Sequence, residues 1–268
     1  MPTPCVVTFV TDFGLRDHFV AAMKGVMLGI NPSLLFVDIS HQIPPHDIFS
    51  GAFTLGQAYP YFSPGTVHLP IVDPGVGTAR KALAVYSQAQ FFVAPDNGVL
   101  TYLLNDDPGA TAYEITADHY FRKPVSSTFH GRDVFAPVAG WISRGDLPLH
   151  QLGPLVEKPT RLAIPAVARV RDNLMQAAIL AVDHFGNLIT NLKPDDLPVY
   201  KTPPTGSCKI LASKTEITVF KRTFAEGKAG ELFVVPGSSG YLEIVTRNAS
   251  AASMLNLAPG AVIGVILA

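Results

Sequence analysis

Hydrophobic residues in the first half of the chain alternate between the spacing of strands and the spacing of helices. The apolar, β-branched run Cys5–Val10 predicts a first strand. Apolar positions within Phe19–Ile30 recur every three or four residues, as on one face of a helix, and Asp17 stands where it can cap that helix. A second strand at Leu34–Ile39 and a helix that Asp47 caps follow.

The same alternation continues to about residue 160. A strand ending at Val72 precedes two paired strands, near Ala82–Ser87 and Phe91–Ala94, and a short helix at Val99–Leu104. Apolar positions on one side of the segment after Phe129 predict another helix. Strands that alternate with helices through long crossovers are typical of a parallel sheet covered on both faces. The pattern therefore predicts an α/β amino-terminal domain with a largely parallel sheet flanked by helices.

Beyond about residue 163 the pattern changes to short strands, separated by Gly, Pro and Asn, with little helix. Such a series is typical of a small antiparallel barrel or sandwich, and we expect an all-β carboxyl-terminal barrel domain. The expected domains are residues 1–162 and 163–268, with Pro159–Pro165 as the linker. The strand-like runs are Ala178–Val182, Leu188–Leu192, Lys209–Ala212, Glu216–Phe220, Leu232–Val235, Tyr241–Thr246 and Val262–Leu267.

Composition narrows the possible partners. Charged residues make up only 15% of the chain and hydrophobic residues 48%, whereas soluble domains usually carry roughly one quarter charged residues. Subunit contacts are the expected cover for so apolar a surface. A membrane is not expected, because no apolar run reaches the ~20 residues of a spanning helix. A net charge of −1 without a Lys/Arg cluster indicates no nucleic-acid partner.

The two cysteines, Cys5 and Cys208, suit a reducing compartment and are too few for a cysteine-based zinc site. The amino-terminal residues show no basic leader and are expected to lead into the first strand. We therefore expect a cytoplasmic protein.

The segment His68–Arg80 carries the most informative candidate chemistry. An apolar strand ends in Asp73, and a turn containing proline and two glycines brings Arg80 back towards that carboxylate. Open α/β sheets usually present reactive groups at the carboxyl ends of their strands. A structural ion pair in a loop explains the same residues equally well, so this segment alone leaves both interpretations open.

Three further positions in the first half carry candidate side chains. Asp12 follows the first strand, where a carboxylate suits a ribose diol, although a turn or capping role is the commoner use of such an aspartate. His41, His46 and Asp47 are metal ligands by type, but their spacing does not make them converge, and loop and cap roles are favoured. His130 opens a helix, whose dipole favours the neutral imidazole and so a base or acceptor role.

Polar turns in the second half suggest recognition of a nucleoside. Asp183–Asn187 offers an anion for an ammonium group, an aromatic face and an amide. Ser238–Tyr241 and Arg247–Ser250 supply further polar atoms near strand ends. Each turn alone is ordinary, but several in one small domain favour a binding site.

Six motifs occur in one order and together resemble a known family. The chain is similar to the adenosine-forming S-adenosylmethionine (SAM) hydrolases, also called SAM hydroxide adenosyltransferases, which are related to fluorinase and chlorinase enzymes. The similarity covers nearly the whole chain. The motifs are Thr11–Gly14 (TDFG), Val72–Arg80 (VDPGVGTAR), Ala94–Gly98 (APDNG), Thr128–Asp133 (TFHGRD), Asp183–Asn187 (DHFGN), and Ser238–Tyr241 (SSGY) with Arg247–Ala249 (RNA).

The resemblance implies a homotrimer that binds SAM between subunits, and it assigns roles to individual residues. Asp73, Arg80 and His130 match the Asp–Arg–His set of the hydrolase branch. Binding roles follow for the remaining matches: Asp12 for the ribose hydroxyls, Asp183 for the methionine ammonium, Phe185 and Asn187 for adenine, Ser238 and Ser239 for the methionine carboxylate, the Ala249 backbone for adenine, and Phe129, Tyr241 and Arg247 as further substrate contacts.

The function implied is hydrolysis of SAM to adenosine and methionine, with SAM as substrate and no cofactor or metal. Asp73 and His130 are expected to orient and deprotonate water, and Arg80 to keep Asp73 ionised. Phe13, Phe129 and Phe185 are expected to keep the pocket dry. The halogenases carry other residues at Asp73 and His130, and fluorinases have a long insertion near Ser87–Phe91 that this chain lacks.

Three other functions remain open at this point. The nearest is a SAM-dependent chlorinase with the same fold. A non-catalytic SAM or adenosine sensor would use the polar turns for binding alone. A metal-dependent hydrolase would use His41, His46 and Asp47. In the fluorinases an arginine stands at the position of Ser239, so neutralisation of the substrate carboxylate must differ here.

Overall fold

The computed structural model describes residues 5–201 and 204–268 of the chain. The expected leaderless amino terminus lies mostly outside the described residues, because only Cys5 onward is described. The chain divides between Leu162 and Ala163 into two compact units. Within the described ranges, no helix combines the length and apolar character that crossing a bilayer requires.

The first unit is built on a mixed six-stranded sheet with the order β2-β1-β3-β5-β4-β6. Neighbours among β2, β1, β3 and β5 run parallel, whereas β4 is antiparallel to both β5 and β6. The expected parallel core and the paired strands β4 and β5 are confirmed, and β6 is an addition that the pattern missed because it has only four residues. The strands are β1 Cys5–Thr11, β2 Leu34–Ser40, β3 Val67–Ile71, β4 Ala82–Ser87, β5 Gln90–Pro95 and β6 Thr111–Glu114.

Four α-helices accompany this sheet among the described residues: α1 Phe19–Ile30, α2 Ile48–Ala58, α3 Thr101–Asp106 and α4 Ala136–Ile142. Asp47 caps α2 by accepting a hydrogen bond from the Ser50 N–H, as predicted. Asp17 does not cap α1, because His18 is the N-cap residue and makes no side-chain capping bond. Gly140 of α4 packs close to Ile30, which lets α1 and α4 approach each other.

Sheet register brings the ends of β1 and β3 together at one edge. The two strands are parallel neighbours, with Thr11 opposite Ile71. Asp12 therefore follows β1 at the same edge where Asp73 follows β3. Ligands of open α/β sheets bind at this carboxyl edge, so the fold places both predicted carboxylates where binding residues belong.

The second unit is an eight-stranded antiparallel sheet that curls towards a closed barrel. Phe220, just after the edge strand β11, forms a bridge with Val234 of the opposite edge strand β12. The strand pattern missed β7, which is exposed along its whole length, and the short helix α5, Ala251–Leu255. The strands are β7 Ala168–Arg171, β8 Leu174–Val182, β9 Leu188–Thr190, β10 Cys208–Ala212, β11 Thr215–Ile217, β12 Leu232–Pro236, β13 Leu242–Thr246 and β14 Val262–Leu267.

Candidate active site

A tight turn after β3 positions the predicted acid and guanidinium. The Val76 N–H donates to the Asp73 carbonyl at 3.2 Å, which closes the first bend. Gly77 has φ +78°, and a Cβ there would collide with the Ser127 carbonyl oxygen. A side chain is therefore excluded at this position both by backbone conformation and by space. The turn returns the chain so that Arg80 reaches Asp73.

Arg80 and Asp73 form a bidentate ion pair. Arg80 Nε donates to Asp73 Oδ1 at 3.0 Å, and Nη2 donates to Oδ2 at 2.5 Å. Only 10% of the Arg80 side chain and 6% of the Asp73 side chain are exposed. Two charge-assisted bonds in a partly desolvated setting fix the orientation of the carboxylate.

His130 joins this pair through Arg80. The distance between Arg80 Nη2 and His130 Nδ1 is 2.9 Å. Because a guanidinium can only donate, Nδ1 accepts, and the neutral ring then carries its proton on Nε2. Burial and the Arg80 charge lower the pKa of His130, against an opposing effect of Asp73. The lowered pKa favours the neutral imidazole that the sequence predicts, but its causes are burial and Arg80, whereas the sequence suggested the helix dipole.

Asp133 anchors the segment that carries His130. Its carboxylate is fully buried and accepts bonds from Arg132 Nε at 2.7 Å and from the Ser126 N–H at 2.9 Å, with a further contact to Arg122. Burial alone would raise the pKa of Asp133, but these hydrogen bonds outweigh it and lower the pKa. The motif that contains Asp133 was visible in the sequence, but its anchoring role was not.

The Asp73 and His130 side chains line one cavity of about 130 Å³ together with aromatic rings. Phe129 packs edge-on against Phe19, with ring centroids 5.2 Å apart, and against Phe13 at 6.1 Å. Phe13 and Phe129 thus line the cavity of Asp73 and His130, whereas Phe185 belongs to the second unit. Apolar walls beside a buried ion pair exclude water, and the attraction between the two charges is stronger where water is absent.

Asp12 lies at the carboxyl end of β1, with Oδ2 accepting the His46 N–H at 2.9 Å. The histidines near it do not assemble a metal site. His41 Nδ1 is 2.8 Å from Thr11 Oγ1, its Nε2 lies 3.1 Å from Asp38, and Asp47 is engaged as the α2 cap. Across the part of the chain that the structure describes, no group of three or more His, Cys, Asp or Glu could hold a metal ion.

The second unit contains a cavity of about 820 Å³ lined by most of its predicted binding residues. Ser239 and Tyr241 are not among the lining residues. Asp183 is held by the turn itself, accepting from the Phe185 N–H at 2.9 Å, the Asn187 N–H at 2.8 Å and Asn187 Nδ2 at 2.8 Å. The predicted residues on the lining are Asp183, Phe185, Asn187, Ser238, Arg247 and Ala249.

Sequence reasoning missed two polar residues of this cavity, Glu243 and Thr246 of β13. They are only 6% and 5% exposed. The signal was available, because a carboxylate inside the otherwise apolar run 241–246 is unusual for a buried strand. Phe224, the first residue of a single 3-10 turn, also lines the cavity and was not predicted.

Each of the two units matches a model of the same protein family. The model described as the SAM hydroxide adenosyltransferase N-terminal domain matches residues 7–153, and that family's C-terminal domain model matches residues 177–264. The chain belongs to the SAM hydroxide adenosyltransferase family. The resemblance seen in the sequence motifs is thereby confirmed.

Relatives within this family cover almost the entire chain. A protein of Salinispora tropica named (R)-S-adenosyl-L-methionine hydrolase is 40% identical over 97% of this chain and 96% of its own length. A Thermus thermophilus protein of the same name is 36% identical over 95% and 96%. The fluorinase of Actinoplanes sp. is 27% identical over 95% of each chain. These two hydrolases are thus more similar to this chain than that fluorinase is.

Two solved structures share the fold of this chain. A crystal structure of an uncharacterized conserved protein from Thermotoga maritima superimposes with a TM-score of 0.88 at 35% identity, covering 97% of this chain and 99% of its own. A conserved hypothetical protein from Thermus thermophilus gives a TM-score of 0.75 at 33% identity, covering 98% and 100%.

Proposed function

We propose that this protein hydrolyses SAM to adenosine and L-methionine by attack of water on C5′ of the adenosyl group. One observation carries the proposal: Arg80 binds both Asp73 and His130 beside a cavity that those two side chains line. Family membership and relatives named (R)-S-adenosyl-L-methionine hydrolase support the substrate and the reaction.

The reaction requires a water molecule that is held in position next to C5′ and a base that takes its proton. The water oxygen forms a bond to C5′ while the C5′–S bond breaks. The electron pair of the broken bond stays on sulfur, which becomes the neutral thioether of methionine. The leaving group therefore needs no acid and the reaction needs no cofactor. The water proton must go to a base, because bulk water with a pKa near 15.7 is a poor nucleophile.

The hydrogen-bond geometry divides the work between the Asp–Arg–His side chains. His130 Nδ1 is occupied by Arg80, so its Nε2–H is free to hold the oxygen of the nucleophile. Asp73 is then the group that accepts the proton, while Arg80 orients its carboxylate and supplies positive potential to the developing hydroxide. From the sequence, Asp73 and His130 were expected to orient and deprotonate the water; we assign the proton to Asp73 and the orientation of the water to His130.

The apolar walls contribute through the charges of the reaction. An anionic oxygen attacks a cationic sulfonium, so charge is dispersed in the transition state and a dry site favours it. Phe13, Phe19 and Phe129 form such walls next to Asp73 and His130.

Substrate binding is assigned to the predicted polar residues of both units. Asp12 would bind the ribose hydroxyls and Asp183 the methionine ammonium, for which it still has an acceptor position beyond its three internal bonds. The remaining proposed contacts are Phe185, Asn187 and the Ala249 backbone to adenine, Ser238 and Ser239 to the methionine carboxylate, with Phe129, Tyr241 and Arg247 completing the site.

We also propose a cytoplasmic homotrimer with SAM bound between subunits. Phe185 is 74% exposed at the larger cavity, and the smaller cavity of about 130 Å³ is below the ~300–1,000 Å³ typical of small-molecule sites. A neighbouring subunit would both cover the aromatic surface and enlarge the site. A solution mass about three times 28.7 kDa by sedimentation would support the trimer, and a monomer mass would contradict it.

Oxygen-18 water provides the decisive test. Purified protein is incubated with SAM in labelled water containing excess chloride, and the products are resolved by mass spectrometry. Adenosine carrying the label at its 5′ oxygen, together with unlabelled methionine, is the expected result. Chlorodeoxyadenosine would instead show a chlorinase, and tight SAM binding without products would show a sensor. Separate assays of the two sulfonium epimers should favour the (R) form that the relatives' name specifies.

A further inference from the structure

Glu243 is a buried residue whose carboxyl group has no hydrogen-bond donor in the part of the chain that the structure describes. It lies on β13, is 6% exposed, and lines the cavity of about 820 Å³ in the second unit. A buried charge without a partner is costly, so its retention calls for a compensating interaction.

The backbone makes room for this carboxylate. Gly237 follows β12 in the turn towards β13, and a Cβ built on it would collide with Glu243 Oε1. The missing side chain of Gly237 is thus the space that the carboxyl group fills. Thr246, whose buried hydroxyl has no partner among the described residues, lines the same cavity. Two buried polar groups facing one cavity indicate a polar ligand.

Strand register places Glu243 beside the Asp183 turn. Glu243 is paired with Ile189 of β9, and β9 follows directly on the turn 183–187. Asp183 acts on Glu243 as a nearby like charge, and together with burial it raises the pKa of the Glu243 carboxyl. Asp183 already accepts three hydrogen bonds from its own turn. Asp183 therefore has few acceptor positions left. Two neighbouring carboxylates on one cavity suit a cation with several hydrogen-bond donors.

We propose that Glu243 is the second carboxylate of an ammonium-binding subsite, in which it and Asp183 share the α-amino group of the methionine moiety of the substrate. A primary ammonium has three N–H donors and needs more acceptors than Asp183 has left. The identity of the ligand rests on the proposed function, whereas the position of both carboxylates on one cavity does not.

Ligands without a leaving group separate this subsite from catalysis. Calorimetry measures the affinity of the parent and of Glu243→Gln for S-adenosylhomocysteine and for its deamino analogue, in which hydrogen replaces the amino group. Glu243→Gln should weaken S-adenosylhomocysteine tenfold or more and leave the deamino analogue within a factor of two. Glu216→Gln, the same change at an exposed strand position of this unit, should alter neither.

Folding is checked in the same samples. Glu243→Gln removes an unpaired buried charge, so the ligand-free variant should melt at or above the temperature of the parent. In steady-state assays KM for SAM should rise about tenfold with kcat within a factor of two. Unchanged S-adenosylhomocysteine affinity, an equal loss for the deamino analogue, or failure of the parent to bind S-adenosylhomocysteine would overturn the subsite. A parent that binds these ligands as expected but releases no adenosine from SAM would instead overturn only the proposed function.

Discussion

Arg80 Nη2 lies 2.9 Å from His130 Nδ1 while the same nitrogen contacts Asp73 Oδ2 at 2.5 Å. One guanidinium group thus links an acid seven residues away to an imidazole fifty residues away. The link has a chemical consequence, because it leaves the imidazole with a free donor and the carboxylate as the remaining acceptor.

Replacing Asp73 tests the proton acceptor. Asp73→Asn should lower kcat by about 10²–10⁴-fold, the usual contribution of a general base, and leave the affinity for S-adenosylhomocysteine nearly unchanged. Stopped assays of adenosine release measure the rate. Asp172→Asn, at an exposed position of the second unit, is the matched control and should retain the parent rate. A loss of less than about threefold in Asp73→Asn would remove Asp73 from this role.

Removing the Arg80 charge should move the acid limb of the pH profile. The protonated form of His130 cannot accept the Arg80 bond, so activity should fall as pH drops through the pKa of His130, which lies below its ordinary value of 6.5. In Arg80→Gln one cause of that lowering is gone, and the midpoint of the acid limb should shift to higher pH. Measurements of kcat/KM between pH 5 and 8 give the midpoints of the acid limb for the parent and for Arg80→Gln. A midpoint in Arg80→Gln that is unchanged or lower would contradict the contact between Arg80 and His130.

His68 should make the fold less stable in mild acid. Burial lowers its pKa to about 4, and its ring contacts Thr8 Oγ1 and Gln90 Oε1. Between pH 6.5 and 4 the unfolded chain binds a proton there that the folded chain does not. The free energy of unfolding therefore falls as pH falls, by roughly 3 kcal/mol over this window.

Urea denaturation at several pH values measures the effect of His68. In His68→Gln the free energy of unfolding should no longer show this part of its fall with pH, whatever the stability of the variant at pH 8. His150→Gln, a change at an exposed position, should keep the fall. Equal slopes in the parent and in His68→Gln would show that other groups govern acid sensitivity.

Asp133 should affect both stability and rate. Asp133→Asn removes the buried charge that pairs with Arg132 and replaces one of the two acceptor oxygens by an NH2 donor. It should lower the free energy of unfolding by about 3 kcal/mol, the lower end for a broken buried pair because Arg132 is partly exposed. Because Ser126 leads into the segment of His130, kcat should fall more than SAM affinity. Asp118→Asn, which breaks an exposed pair with Lys123, should change neither quantity measurably.

Metal removal should leave the reaction intact. His41 and Asp47 are engaged with Thr11 and Ser50, and the proposed chemistry needs no Lewis acid. Dialysis against a chelator should therefore preserve the rate of adenosine release within a factor of two. Loss of activity that added divalent metal restores would revive a metal-dependent mechanism.

Local patterns predicted much of the fold because they report on neighbours in the chain. The spacing of apolar residues located α1, β1 and β3, and Asp47 was correctly placed as a cap. Weakly patterned elements escaped: β6 is short and β7 is exposed on both faces, so neither shows the alternation of a half-buried strand. Asp17 failed as a cap because the helix starts one residue later, after His18.

The sequence by itself determined most of the elements, the family motifs and the turn that returns Arg80 to Asp73, seven positions earlier in the chain. Only the tertiary structure decided which nitrogen of His130 meets Arg80, that Asp133 anchors the His130 segment, and that Glu243 faces the cavity of Asp183. The physical reason is the separation along the chain of the residues that interact. A turn is set by the torsion preferences of a few consecutive residues, whereas contacts between distant segments depend on strand register and packing of the whole unit.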